Sequence, residues 1–217
     1  IQFLKNCNTT SMKKTALYTS YLLKSALPNY QELLQEIGSQ NLLTHRGVLY
    51  VWIDPHQQPN STQINIRSES GVEQIKLSGE EIRELEPNLS NQILGGWHFP
   101  KAHHTLDPDL ILEKLYQSFL SRGGQFQKEE VTSIKPREDT TQVNNYEYDQ
   151  LVVCTGAFSK FLVKQIEGQF IPLETERGYH IEFIEKNGLL SRPTSLVESG
   201  MYLTPLHNRL RAVGTVE

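Results

Sequence analysis

Residues 150–159, Gln-Leu-Val-Val-Cys-Thr-Gly-Ala-Phe-Ser, decide how the rest of the chain is read. Leu151-Val152-Val153-Cys154 is a short apolar run of the kind expected of a strand buried on both faces. It leads straight into the small turn Thr155-Gly156-Ala157 and then into an apolar segment with helical potential. In an open α/β sheet, ligands bind outside the carboxyl ends of such strands. Small residues at that place let a ligand come close to the backbone. The stretch reads as one wall of a ligand site whose other half must be sought elsewhere.

Upstream, Asp107-Pro108 predicts a helix with Asp as N-cap and Pro at its first position. Leu110, Ile111, Leu112, Leu115 and Phe119 supply its apolar positions, and Gly123-Gly124 ends it. Phe126, Val131 and Ile134 then precede a polar hairpin-like turn and the 151–154 run. The flanks have a different character. Before residue 106, residues 12–27 read as a helix stopped by Pro28, and Tyr30–Ile37 as a second one ending at Gly38. Gly47–Ile53 reads as a strand closed by Asp54-Pro55, and the polar stretch 56–73, with little apolar periodicity, as including an exposed loop. Ser78-Gly-Glu-Glu81 is a capping box starting a short helix that Pro87 stops. Ile93–Phe99 is a strand with a bulge or close backbone approach at Gly95-Gly96. After residue 160, strands are expected at 178–183, 194–197, 201–204 and 210–216, and these flanking strands are able to pair with the earlier ones.

The 217 residues allow one large domain or two small ones, and 37% hydrophobic content is enough for a core. A net charge of −4 leaves no basic stripe to neutralise phosphates, so a nucleic-acid partner is not expected. Only Cys7 and Cys154 are present, one of them in the apolar run, so no disulfide framework is implied and a reducing cytoplasm fits best. No run reaches the roughly 20 apolar residues of a spanning helix. His98, His103 and His104 are close in sequence, but no metal is expected, because a site needs three or four converging ligands. Three Asn-x-Ser/Thr triplets, at Asn8, Asn60 and Asn88, match the glycosylation pattern, which is common by chance.

The order Asp107-Pro108, Gly123-Gly124, Val131-Thr-Ser-Ile134, Tyr148 through Ser159, Pro172 and Arg177-Gly-Tyr-His180 resembles the FAD-dependent D-amino-acid oxidase superfamily. Within it, the chain is most similar to the D-amino-acid dehydrogenase and glycine-oxidase branch. Tyr202-Leu-Thr-Pro205 and Arg211 through Glu217 agree with the same pattern. The resemblance implies an α+β fold: a strand-rich substrate-binding sheet with flanking helices, plus an inserted helix–strand segment of a Rossmann-like FAD domain. On this reading, 1–105 is the first part of the substrate-binding domain, 106–160 the FAD-domain insert, and 161–217 the second part of the substrate-binding domain. Such enzymes begin with a Gly-x-Gly-x-x-Gly turn that holds the FAD pyrophosphate, and no such motif occurs here. Both ends read as cut, and the chain as an interior fragment that binds FAD weakly or not at all and has no turnover on its own, FAD belonging to the intact parent.

The resemblance implies that Thr155 and Gly156 sit near the flavin pyrophosphate and that Val131 offers its backbone to the adenine. The ordinary alternatives are a βα turn that uses a glycine and a core-filling strand residue. Tyr202 corresponds to an active-site tyrosine whose hydroxyl meets an amino-acid carboxylate; otherwise it is a cross-strand aromatic. Arg177 and Tyr179 are candidate substrate-binding residues at the junction with the returning sheet, where Gly178 is expected to permit an unusual backbone angle or close packing. The implied reaction oxidises the Cα–N bond of an amino acid or related amine by hydride transfer to flavin. The partners implied are a small amino-acid or amine substrate and, for the parent, a peripheral membrane or quinone link; the oligomeric state stays open. Two other readings compete: a non-catalytic binding or interaction module, and a same-fold oxidoreductase acting on sarcosine or a 2-hydroxy acid.

Overall fold

Asn8 starts the first helix, its side-chain oxygen accepting the Ser11 amide at 2.9 Å. That bond satisfies one of the amides a helix N-terminus leaves unpaired. The computed structural model describes residues 7–166, 169–186 and 188–216; Ile1 and Glu217, read as cut ends, lie outside the described residues. Helix α1 (Thr9–Leu23) leads into α2 (Ala26–Glu36). Pro28 does not stop the first helix as expected but sits in the first turn of α2, where its missing N–H costs no bond. Gly38, at φ +65°, closes α2 in the left-handed conformation its position predicts.

Within 56–73, a stretch whose sequence shows no helical period, the chain forms helix α3 (Ser61–Glu69). The Asn60 side chain accepts the Gln63 amide at 3.0 Å, and the Gln63 side chain accepts the Asn60 amide at 3.0 Å. This is a reciprocal capping box. Ile64 and Ile66 are too few to display a helical period, so the cap is the only strong local signal. Asn8 and Asn60, two of the three glycosylation-pattern asparagines, are thus helix caps. The Ser78 box forms as expected and opens α4 (Gly79–Leu85). Asp107 accepts the Leu110 amide at 3.1 Å and opens α5 (Pro108–Ser121). A short helix, α6 (Ser159–Val163), follows the Thr155-Gly156 turn.

In chain order the strands are β1 (Leu43–Thr44), β2 (Val48–Trp52), β3 (Ile75–Ser78), β4 (Gly95–Phe99), β5 (His104–Thr105), β6 (Ile134–Pro136), β7 (Thr141–Val143), β8 (Tyr146–Tyr148), β9 (Gly178–Ile184), β10 (Thr194–Leu196), β11 (Met201–Pro205) and β12 (Arg209–Val216). Among the described residues they form a seven-stranded sheet in the order β3-β4-β2-β10-β11-β12-β9, a pair β1-β5 and a three-stranded meander β6-β7-β8. The flanks do pair: β2 and β10 run parallel at the middle of the large sheet, with Tyr50 opposite Ser195, and the other neighbours are antiparallel.

Alternation sets the two faces of β2. Leu49 and Val51 are fully buried with Ile82 of α4 and Ile93, and Leu77, Leu85, Leu89 and Leu196 pack around them. Each such side chain contributes roughly 1.5–3 kcal/mol by burial. Tyr50 points to the opposite face. Gly96 is required on β4: a Cβ there would meet Ile82 Cδ1 and the Tyr50 carbonyl oxygen, each at 2.7 Å. The close backbone approach expected at Gly95-Gly96 is therefore present. Gly178, by contrast, has neither a positive φ nor a close neighbour.

The chain divides into two compact units, one formed by residues up to Arg122 with Gly178–Val216, the other by Gly123–Arg177. Helix α5 lies in the first unit because Ile111 is buried with Leu34 of α2 and Leu42, with Leu110 and Leu115 packed alongside. The second unit holds the β6-β7-β8 meander, whose turn is set by Asn144 at φ +51°. The Asn144 side chain accepts the Thr132 amide at 2.9 Å and donates to the Glu130 carbonyl at 2.8 Å.

The doubly buried strand expected at 151–154 does not form. Val152 is 80% exposed and Cys154 is exposed too. A strand needs neighbours to satisfy its amides and carbonyls, and none of the strands among the described residues pairs with this run.

Candidate functional site

On the face of the large sheet opposite the Leu49–Val51 core, register places Tyr50, Ser195 and Tyr202 side by side on three adjacent strands. Opposed residues of paired strands project to the same face. Strands lie about 4.8 Å apart, so the two tyrosines are separated at the backbone by the width of the middle strand. Ser195 is small enough to leave space between them. Their rings meet edge-on, centroids 6.0 Å apart at 81°, and their hydroxyls hydrogen-bond at 3.1 Å.

Helix α3 covers this face. Arg67 lies above two aromatic rings, its guanidinium carbon 5.5 Å from the centre of Tyr50 and 5.2 Å from that of Phe99. Cation–π contacts of this kind hold the guanidinium against the rings. Arg67 makes no ion pair with a carboxylate among the described residues. Its Nη1 is buried without a hydrogen-bond partner. The loop between β2 and α3 forms the rim, anchored where Glu198 Oε1 accepts the Ile53 and Asp54 amides at 2.7 and 2.8 Å.

Together these elements enclose a cavity of about 360 Å³, lined by Tyr50, Tyr202, Ser195, Arg67, His56 and three glutamines among others, and by no acidic residue. Burial pushes the Tyr50 phenol up to about 12, with the Tyr202 hydrogen bond adding to the shift and Arg67 opposing it. Tyr50 is therefore a neutral hydroxyl at all ordinary pH values. An unfolded phenol ionises near 10, so this group's contribution to stability is complete below pH 10 and is lost as pH rises towards 12. A titration followed by tyrosinate absorbance or ring-carbon NMR is expected to find Tyr50 still protonated at about pH 11. A Tyr202→Phe variant is expected to lower its midpoint. Ionisation at the ordinary phenol value would contradict the geometry.

Of the residues singled out from the sequence, Tyr202 lines this cavity. Tyr179 lies on β9 in the same unit, 44% exposed and outside the lining. Arg177, Val131, Thr155 and Gly156 belong to the second unit. There, Gly156 is exposed at φ +54° with open space where a Cβ would lie. The Thr155 and Gly156 amides donate no hydrogen bond among the described residues, and neither does the Val131 backbone form one. An exposed turn with unused backbone donors suits an anionic or polar cofactor group, so these residues fit one wall of a nucleotide site. The histidines separate: burial pushes His98 and His104 below the ordinary imidazole value, while His103 stacks on His45, ring centres 4.1 Å apart and 2° from parallel. Sequence reading passed over Arg67 and Tyr50. The Asn60/Gln63 cap was the available signal for the helix that carries Arg67.

The profile of the DAO family, FAD dependent oxidoreductase, matches residues 9–217. The D-amino-acid oxidase of Bradyrhizobium diazoefficiens is 29% identical over 212 residues, covering 95% of this chain and 50% of that enzyme. The chain spans about half the length of the curated relatives it matches. Among solved structures, glycine oxidase from Bacillus cereus superposes with a TM-score of 0.71 at 18% identity, over 94% of this chain and 56% of that one. Iminodiacetate oxidase from Chelativorans sp. superposes with a TM-score of 0.72 at 18% identity, over 91% and 57% respectively. At such identities the two superpositions establish a shared fold.

Proposed function

Because this chain belongs to the DAO family of FAD-dependent oxidoreductases, we propose that it forms the substrate wall, and part of the cofactor wall, of an enzyme that oxidises amino acids. The observation that carries this reading is the hydroxyl pair Tyr50–Tyr202 at the cavity on the open face of the large sheet. In the intact protein, bound FAD supplies the acceptor for the hydride leaving the substrate α-carbon. The amine gives up a proton, and the product is an imino acid. This chain's residues bind and orient. Tyr202 donates its hydroxyl to the substrate carboxylate, and Tyr50, protonated and bonded to it, fixes where that hydroxyl points. Arg177 and Tyr179 are assigned to substrate binding from their place at the junction before and within β9. The stretch 106–160 is assigned to the flavin domain, with Thr155 and Gly156 at the pyrophosphate and Val131 at the adenine. The unused backbone groups of these residues support that assignment.

For the intact protein we further propose a link to a membrane periphery or to a quinone. That assignment draws on the similarity to D-amino acid dehydrogenases. No helix among the described residues is long and apolar enough to cross a membrane.

The test is anaerobic mixing of the FAD-loaded intact protein with D-amino acids and glycine, watching the flavin band at about 450 nm. Bleaching is expected. Tyr202→Phe should raise KM about tenfold and change kcat less, since a hydrogen bond to a charged group contributes roughly 1.5–3 kcal/mol. A flavin that stays oxidised with every amino acid would rule the reading out.

A further inference from the structure

Arg67 is the one residue of the cavity that carries a fixed positive charge, and the lining offers nothing to neutralise it. The rings of Tyr50 and Phe99 contact the guanidinium, but they accept none of its hydrogen bonds. Tyr50 touches Arg67 on one side and Tyr202 on the other, so the cavity has a guanidinium end and a phenol end. Gln57, Gln58 and Gln63 add neutral amides to the lining. A volume of about 360 Å³ suits a small molecule and lies at the low end of ligand sites, which run roughly 300–1,000 Å³.

We propose that Arg67 receives a second carboxylate, on the substrate's side chain, so that the preferred substrate is a dicarboxylic amino acid. The planar guanidinium fork matches a carboxylate through two parallel hydrogen bonds, a geometry no neutral side chain reproduces. This inference rests on the cavity being the substrate site, with the α-carboxylate at Tyr202. It adds a charge requirement at the far end, where an amide of the same shape leaves the guanidinium unpaired.

The test compares D-glutamate with its near-isostere D-glutamine on the 217-residue chain, by NMR titration of the Arg67 Nε–H resonance and the tyrosine ring signals. D-Glutamate is expected to bind at least about tenfold more tightly and to move the Arg67 resonance, which D-glutamine leaves in place. Arg67→Met, which keeps the apolar stem, should bring the ratio of the two affinities to within about twofold of unity. Arg67→Lys should retain part of the preference, since charge survives and the fork does not. Equal affinities in the unaltered chain, or a preference that survives Arg67→Met, would overturn the inference while leaving the cavity as substrate site. If neither amino acid perturbs Tyr50, Tyr202 or Arg67, the inference and the site assignment fall together. Should Arg67→Met fail to fold, the Arg67 resonance of the unaltered chain decides the question alone.

Discussion

Glu86→Ala is expected to destabilise the first unit by about 3–5 kcal/mol, the cost of removing one partner from a buried ion pair. Glu86 caps the C-terminus of α4, and its side chain is 3% exposed. One oxygen accepts Arg192 Nε at 2.8 Å, the carboxylate also takes the Ser191 amide at 2.9 and 3.1 Å, and the Ser191 hydroxyl donates to it. Truncation would leave Arg192, whose side chain is 14% exposed, charged and unpaired next to two orphaned Ser191 donors. Domains are stable by only about 5–15 kcal/mol, so the loss would be a large share. Glu86→Gln keeps an acceptor but not the charge and should fall between the variant and the parent. Both tryptophans, Trp52 and Trp97, lie in this unit, so urea unfolding followed by tryptophan fluorescence reports it selectively. A loss below about 1 kcal/mol for Glu86→Ala would mean that the ion pair is solvated and contributes little.

Gly96→Ala is expected to cost about 3 kcal/mol, the upper end of what overpacking a dense interior does. The added methyl would meet Ile82 Cδ1 and the Tyr50 carbonyl oxygen at 2.7 Å. Ile82 is 0% exposed and packed among Leu49, Val51 and Ile93, so it has nowhere to retreat. The Tyr50 carbonyl belongs to β2, paired with β4 at this point, so relief there means separating the two strands. That movement would shift Tyr50 itself. The variant should therefore lose stability in urea and also lower the Tyr50 midpoint from about 12, because the Tyr202 bond that helps raise it would lengthen. Unchanged stability together with an unchanged midpoint would show that the backbone accommodates the methyl freely.

The parts of the fold legible in the sequence were those with local chemistry that acts alone. Asp107-Pro108 and Ser78 with Glu81 start helices where their side chains meet nearby amides. The alternation of β2 separates Leu49 and Val51 from Tyr50 without help from any distant residue. Reading failed where structure depends on partners. Leu151–Cys154 has the composition of a buried strand, but composition supplies no neighbouring strand. Pro28 looked like a stop because the register of the second helix could not be seen. In the cavity, Tyr202 was found by resemblance. Tyr50 was missed because its meaning comes from standing across Ser195 from Tyr202, a matter of register between strands far apart in the chain. Arg67 was missed with its helix, since two isoleucines give no period and the Asn60 cap resembles a glycosylation triplet.

The Tyr50–Tyr202 bond joins residues 152 positions apart. Folding rates fall as contacts become less local, because the entropy of closing a long loop is lost before the contact forms. On the ribosome, β2 emerges well before β10, so the edge that β10 will cover must wait for most of the 217 residues to be made. An unpaired edge strand is a template for association with other chains. The same pairing that assembles the cavity from distant residues thus sets the period during synthesis when this protein is most exposed to aggregation.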